Sequence, residues 1–471
     1  METLQRTANR GSISTGGYDI DNSLKMEADN SESMTRTPSS SGNRKTWTLS
    51  FWFKRTELGA AVRLFEAWDG STGTSALFTD ADLFILDLTA GGNYFTSSAV
   101  FRDTSAWYHF VIRVDTTQGT ASERARVYVN GSELAGSWNS NIGQNTDLTW
   151  NQNVVHYLGV FHLSGNFANG YYAEVINVDG TSLAPTEFGE FDADSGIWKP
   201  KAYTGSYGTN GFYLDFESSG SLGADSSGNG HTWTLNNITS ADQATDTPTN
   251  NFCTINPLIP YNGSVSEGAT KFIHTSGGNG WESFVATMGA GTSGKWYAEF
   301  KFVDSDNDNM IGICPIDDPD LNRGGASFAF YGCDSSLDES VGYYASDGFR
   351  YIGGGPASYG NSYNRTNIMS IAVDMDNGKL YFAKDGVWQN SGDPTSGATG
   401  TGALDVRGAT KPQSLGASNY YSGEDILANY GGFTTISIST PETDENGYGT
   451  FEYAPPTGYY ALCTKNLAEY G

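Results

Sequence analysis

The stretch SIAVDMDNGKLYFAKDGVWQNSGDP, residues 370–394, sets Asn377-Gly378 and Asp385-Gly386 into a run of alternating side chains. Met369, Ile371, Val373 and Met375 fall on one face, the period-2 signature of a strand buried on one side. Asp376-Asn377-Gly378 reads as a two-residue hairpin turn, because Asn and Gly tolerate the positive φ that such turns demand. The return strand then places Leu380 and Phe382 inward and Lys379 and Tyr381 outward, and Asp385-Gly386 reverses the chain again. A chain written this way folds as an antiparallel meander.

The pattern recurs some 250 residues earlier, in RARVYVNGSEL (124–134) with its Asn130-Gly131 turn. In KTWTLSFWFKR the residues Trp47, Leu49, Phe51 and Phe53 share a face. In WYHFVIRVD Tyr108, Phe110, Ile112 and Val114 do, followed by Val127 and Val129. In KWYAEFKFVD Trp296, Ala298, Phe300 and Phe302 do. Period 3.6 is almost absent, and one short helix is expected at APTEFGEF, where Pro185 suits a first turn. With 59 Gly and only 17 % charged residues, the composition favours short strands and tight turns over helices. The expected fold class is therefore all-β, with two tandem jelly-roll sandwiches.

At 471 residues the chain is too long for a single core. The stretch 236–264 is polar, carries three prolines and lacks sustained alternation, so it reads as a connector. The expected division is an N-terminal arm at 1–20, a first sandwich at 21–235, that connector, and a second sandwich at 265–471.

The net charge of −27 repels phosphate backbones, and no basic patch offsets it, so nucleic acid is not an expected partner. No apolar run is long enough for a bilayer, and the start METLQRTANRGS has no hydrophobic signal core, so neither membrane insertion nor ordinary export is expected. Cys253, Cys314, Cys333 and Cys463 show no CxxC spacing and read as buried thiols, with a Cys314–Cys333 bridge as the alternative.

Two resemblances follow from these phrases. NRKTWTLSFWFKR, WYHFVIRVDTTQGTASERARVYVNG and HYLGVFHLSGNFANGYYAEVINVDGTSL resemble a laminin-G or concanavalin-A-like jelly roll. GKWYAEFKF, the 370–392 meander and FEYAPPTGYYALCTKNL resemble a SPRY domain. The connecting text, from APTEFGEFDADSGIWKPKAYTGSYGTNGFYLDF to DSSGNGHTWTLNNITSADQATDTPTNNFCTINPL, is similar to structural proteins of marine and cyanobacterial tailed phages. That resemblance implies a non-enzymatic protein on the virion exterior, tail-fibre-like or capsid-decorating. It would be assembled in the host cytoplasm and bind host surface glycans or neighbouring virion proteins, with further copies of the chain as partners. An architectural cement role is the alternative, and a glycan depolymerase a third.

Candidate residues are weighed on chemistry. Hydrolysis of a glycan needs two carboxylates facing one cleft. Glu187, Glu190 and Asp192 come nearest, but they lie in the expected short helix and loop and read as a solvated acidic connector. His109, His156, His162, His231 and His274 flank no nucleophile motif and read as structural or surface residues. Asp304, Asp306 and Asp308 alternate as Ca²⁺ ligands do, although Asn309 stands where such a loop needs glycine. Asp225 and Asn229, in the turn DSSGNG, are further Ca²⁺ candidates, since laminin-G and pentraxin relatives hold Ca²⁺ at such loops; an Asx turn is the plainer reading. A glycan surface needs exposed rings beside polar groups. The segment 343–364 supplies Tyr343, Tyr344, Phe349, Tyr351, Tyr359 and Tyr363, and Trp388 and Trp138 add to them.

Overall fold

The computed structural model describes residues 17–162, 165–258, 263–275, 277–304, 308–316, 339–353, 355–406 and 409–471. The chain forms two compact units that divide between Thr249 and Asn250, within the stretch expected to connect them. The Asp306 and Cys333 expectations lie outside the described residues, as does all but the end of the arm.

In the first unit, two eight-stranded antiparallel sheets enclose one core. One sheet is built around Thr46–Arg55, flanked by Trp107–Asp115 and Gly170–Asp179. The other runs from Gly136–Trp138 through Tyr94–Val100, Leu83–Asp87, Gly73–Phe78, Val62–Trp68 and Val155–Leu158 to Ser33–Arg36 and Thr234–Asn236. Trp47, Leu49, Phe51, Phe53, Phe110, Ile112, Val114 and Val127 all enter the core, as their alternation requires. The expected short helix is a single 3-10 turn, Pro185–Glu187, with proline in its first turn.

Residues 236–249 are integral to this unit. Thr239 and Asp242 form a reciprocal capping box, and Gln243–Ala244 pairs with Ser23–Met26. Asp246 accepts from the Lys54 ammonium at 2.6 Å and from the Trp107 indole at 3.0 Å. Both partners of the Lys54–Asp246 pair are out of solvent, so removing either would strand a buried charge.

The second unit stacks a nine-stranded sheet on a six-stranded one. Lys295–Phe302, Met369–Asp374 and Lys379–Lys384 lie side by side, and Trp296, Phe300, Ile371, Leu380 and Phe382 point into the core. Tyr381, expected outside, is buried. A second apolar layer of Phe252, Phe451, Tyr459 and Ala461 covers the outer face of that sheet and encloses it. A seven-residue helix, Thr464–Tyr470, ends the chain and was not anticipated.

The turns divide by geometry. Asn130-Gly131 and Asp385-Gly386 have positive φ at both residues and close two-residue loops. The turn at 375–378 does not. It is a four-residue loop in which only Gly378 has positive φ, because the Asp374 carboxylate accepts from the Asn377 backbone and side chain and sets a wider reversal.

Candidate functional site

The expected ring-rich surface at 343–364 is dismantled by alternation. Tyr343, Tyr359 and Tyr363 are core residues, packed on one another and on Phe382, and their faces are not available to a ligand. The Tyr363 hydroxyl donates to the Tyr343 carbonyl at 2.6 Å. Trp388 is half-buried against Tyr381, and Trp138 packs on the rim of the first core against Phe95. Phe349, Tyr344 and Tyr351 remain half-buried at the outer side of the six-stranded sheet. There Tyr344 meets Tyr351 edge-on at 5.5 Å and Trp281 at 5.8 Å.

The Ca²⁺ candidates are engaged by their own loops. The Asp225 carboxylate accepts from the backbone N–H groups of Tyr213, Ser227 and His231 at 2.7–2.9 Å. The Asn229 amide donates to the Gly208 and Gly211 carbonyls, both at 2.9 Å. Asp304 accepts from the Asp425 N–H at 3.0 Å, and Asp308 accepts from the Tyr344 hydroxyl. Among the described residues no group of three or more His, Cys, Asp or Glu is placed to hold a metal. Glu187 and Glu190 are exposed, and Glu190 and Asp192 both reach Lys199, at 3.3 and 3.5 Å.

Three histidines, His109, His156 and His274, are buried. His109 lies on the face away from the core, as its position implies, but Trp198 covers it and donates to Nδ1 at 2.9 Å. Nδ1 is therefore the acceptor, and Nε2 carries the proton toward Ser50 Oγ at 2.8 Å. Burial lowers the His109 imidazole to about 3 and that of His156 to about 4, so both stay neutral.

His162 is different. It sits on the outer face of the Val62–Trp68 sheet, where a β-bulge between Arg63 and Phe65 resets the alternation. Leu64, Phe65 and Ala67 all enter the core, which leaves Arg63, Glu66 and Trp68 outside. The Glu66 carboxylate accepts from His162 Nδ1 at 2.8 Å and from its N–H at 2.9 Å. Burial pushes that carboxyl above the usual range, against the pull of Arg63 and His162. The imidazole lies 4.3 Å from the half-buried Trp68 ring. Gly73, directly across from Trp68, lets the indole lie over the sheet, since a Cβ there would come within 2.8 Å of it. The Arg63 guanidinium stacks 4.4 Å from Phe161 and donates to Ser75 Oγ at 2.6 Å, while its Nε is buried without a partner among the described residues. Tyr157 pairs across from Glu66 and completes the wall.

This corner unites a ring, a carboxylate, an imidazole and a guanidinium on a rigid sheet, which is the composition of a polar-ligand site. Reading the sequence for ring density passed over it. The available signal was VRLFEAW, where strict alternation fails at Leu64-Phe65 and thereby moves Glu66 and Trp68 to one side.

A sequence model of the concanavalin A-like lectin/glucanases superfamily matches residues 29–180, the span that holds this corner. No curated protein matches the chain. Among solved structures, the SPRY domain of human HERC1 aligns at 16 % identity over 39 % of this chain and 99 % of its own, with a TM-score of 0.29. A human SPRY domain aligns at 16 % over 36 % and 94 %, with a TM-score of 0.27. The heptameric SAP-like pentraxin from Limulus polyphemus aligns at 17 % over 36 % and 80 %, with a TM-score of 0.28.

Proposed function

We propose that this protein binds glycans without cleaving them, through the Trp68–His162–Glu66–Arg63 corner of its first unit. The observation that carries this reading is the half-buried indole at the edge of a polar sheet face. A ring there stacks on the apolar side of a sugar, while the part-exposed His162 imidazole, oriented by the buried Glu66 carboxylate, supplies the polar contact to its hydroxyls. The match of residues 29–180 to a lectin/glucanase superfamily supports the same choice. Binding is favoured over hydrolysis by the carboxylate count. Asp87, two strands away beyond Ser75, accepts from the Thr89 and Gly91 N–H groups, which leaves it unavailable as a second carboxylate for Glu66.

The phage-like connecting phrases extend the proposal to location. The protein would sit on a virion exterior, tail or capsid, with other virion proteins and further copies of itself as neighbours. Screening the whole protein on a glycan array, then titrating the best ligand calorimetrically, tests the binding reading. Trp68→Ala is expected to weaken affinity at least tenfold, with no hydrolysis products over hours. Unchanged affinity in both Trp68→Ala and Glu66→Gln would overturn it.

A further inference from the structure

At one end of the six-stranded sheet, four half-buried rings and one carboxylate close on themselves. Tyr344 contacts Trp281 at 5.8 Å, Trp281 contacts Tyr420 at 5.7 Å, and Tyr420 contacts Tyr421 at 5.3 Å. Of the two outer members of this series, Tyr344 donates its hydroxyl to Asp308, and Tyr421 feels the charge of the same carboxylate. The circuit is tied to rigid elements. Tyr344 ends the strand Val341–Tyr344, Asp308 directly precedes Asn309–Pro315, and Tyr420 follows Gln413–Asn419 and donates its N–H to the Asp308 carbonyl at 3.1 Å. Trp281 directly precedes Glu282–Ser283, which pairs with that same strand.

The angles matter more than the distances. Successive rings meet at 62°, 67° and 90°, so they stand as walls. A face-to-face stack would cover those faces, whereas edge-on contact between half-buried rings leaves part of them open to a ligand. Ring faces are the negative side of the aromatic quadrupole. The Tyr344 phenol bonded to Asp308 is kept neutral by burial and by that carboxylate, so it does not cancel the charge.

We propose that Trp281, Tyr344, Tyr420, Tyr421 and Asp308 form a cage for an alkylated ammonium group, a site separate from the glycan-binding corner. Faces and carboxylate together favour a bulky, weakly hydrated cation, which sheds water at lower cost than a small one. The surroundings choose between two sources of that group. Asp304 accepts from the Asp425 N–H at 3.0 Å, and Glu424 and Asp425 follow Tyr421 within four residues, so a cation that carries its own phosphate meets repulsion here. A trimethyl-lysine side chain fits this field and a phosphocholine headgroup does not.

The test is a titration of the whole protein with trimethyl-lysine, phosphocholine, choline and the neutral choline isostere 3,3-dimethylbutanol, followed by Trp281 fluorescence difference and ligand-observed NMR. Trimethyl-lysine and choline are expected to saturate, the isostere to bind at least tenfold more weakly, and phosphocholine to bind more weakly than trimethyl-lysine. Asp308→Asn, which keeps shape and hydrogen bonding, is expected to weaken choline about tenfold with an unchanged near-UV spectrum. Tyr420→Leu is a second variant that removes a wall without touching Asp308. Equal binding of choline and its isostere, no binding of either cation, or indifference to both variants would overturn the cage. Phosphocholine binding more tightly than trimethyl-lysine would overturn the assignment of source.

Discussion

The Tyr343 cluster of the second unit and the Trp68 corner of the first put aromatic rings to opposite uses, and a buried carboxyl in each unit extends the comparison. In the second, the densest run of tyrosines goes inward: Tyr343, Tyr359 and Tyr363 hold the core together. In the first, a single indole, Trp68, is left outside beside a carboxylate and an imidazole. Ring number therefore measures packing, and ring company measures function. The largest effect that would break this contrast is on stability. Tyr343→Ala empties a fully buried site and is expected to cost about 3–5 kcal/mol. Trp68→Ala is expected to cost less than about 1 kcal/mol, because its side chain is only half-buried and no core contact is lost. Parallel urea unfolding curves check both. If Trp68→Ala proves as costly as Tyr343→Ala, the indole is structural and the glycan reading loses its main support.

The carboxyls carry the same contrast into proton binding. Glu299, wholly buried in the second unit, accepts from the Tyr297 hydroxyl, the Asn429 amide and the N–H groups of Glu452 and Tyr453, at 2.8–3.0 Å. Glu174, in the first, sits at a β-bulge with φ of +52° and accepts from two phenols, Tyr18 at 2.7 Å and Tyr213 at 2.6 Å. Burial raises its carboxyl to about 7, with Asp215 and Glu217 adding repulsion. Backbone N–H groups only donate, whereas phenols either donate or accept, so the two sites respond differently to an amide. Glu299→Gln turns an NH₂ toward fixed donors and is expected to cost about 2–3 kcal/mol at pH 5, with the cost shrinking toward pH 8 because burial raises this carboxyl too.

Glu174→Gln is expected to be nearly neutral at pH 5 and stabilising by about 2 kcal/mol at pH 8. The sign follows from linkage. A carboxyl raised in the folded state contributes stability that is fully present below its unfolded value of 4.5 and is lost as pH rises through about 7. The wild-type protein has lost that contribution at pH 8, while the amide cannot ionise. Chemical denaturation at the two pH values decides it, and a pH-independent difference would place the effect in the strained bulge instead of the proton.

How much of this was legible in the sequence depends on how many layers a residue sees. One-layer readings succeeded: Trp47, Phe110, Trp296 and Ile371 alternate inward because one sheet faces one core. Tyr381 and His109 were placed on the correct face, but that face is itself covered, by Phe451 and Tyr459 in one case and Trp198 in the other. A strand does not encode what distant loops will lay over it. Bulges were the second obstacle. One at Arg63/Phe65 turns Glu66 and Trp68 together to the face away from the core, and one at Ala173/Ile176 accompanies the positive φ of Glu174; a single inserted residue inverts every later assignment on the strand. The helix Thr464–Tyr470 escaped because seven residues are too few to show a period.

The smallest effect tests the indole without removing it. Gly73 faces Trp68 across the strand pair, and an added methyl would sit 2.8 Å from the indole and 3.0 Å from the Ala67 carbonyl. Gly73 is not in the left-handed region, so Gly73→Ala strains no backbone angle and restricts the unfolded chain by about 0.4–1 kcal/mol in its favour. That gain opposes the steric cost, and the net change in stability is expected to stay within about 1 kcal/mol. The ring must nevertheless tilt. Glycan affinity is therefore expected to fall several-fold while the unfolding curve barely moves, a separation that calorimetry and denaturation on one sample resolve. Loss of affinity in step with loss of stability would mean that the sheet, and not the angle of the ring upon it, limits binding.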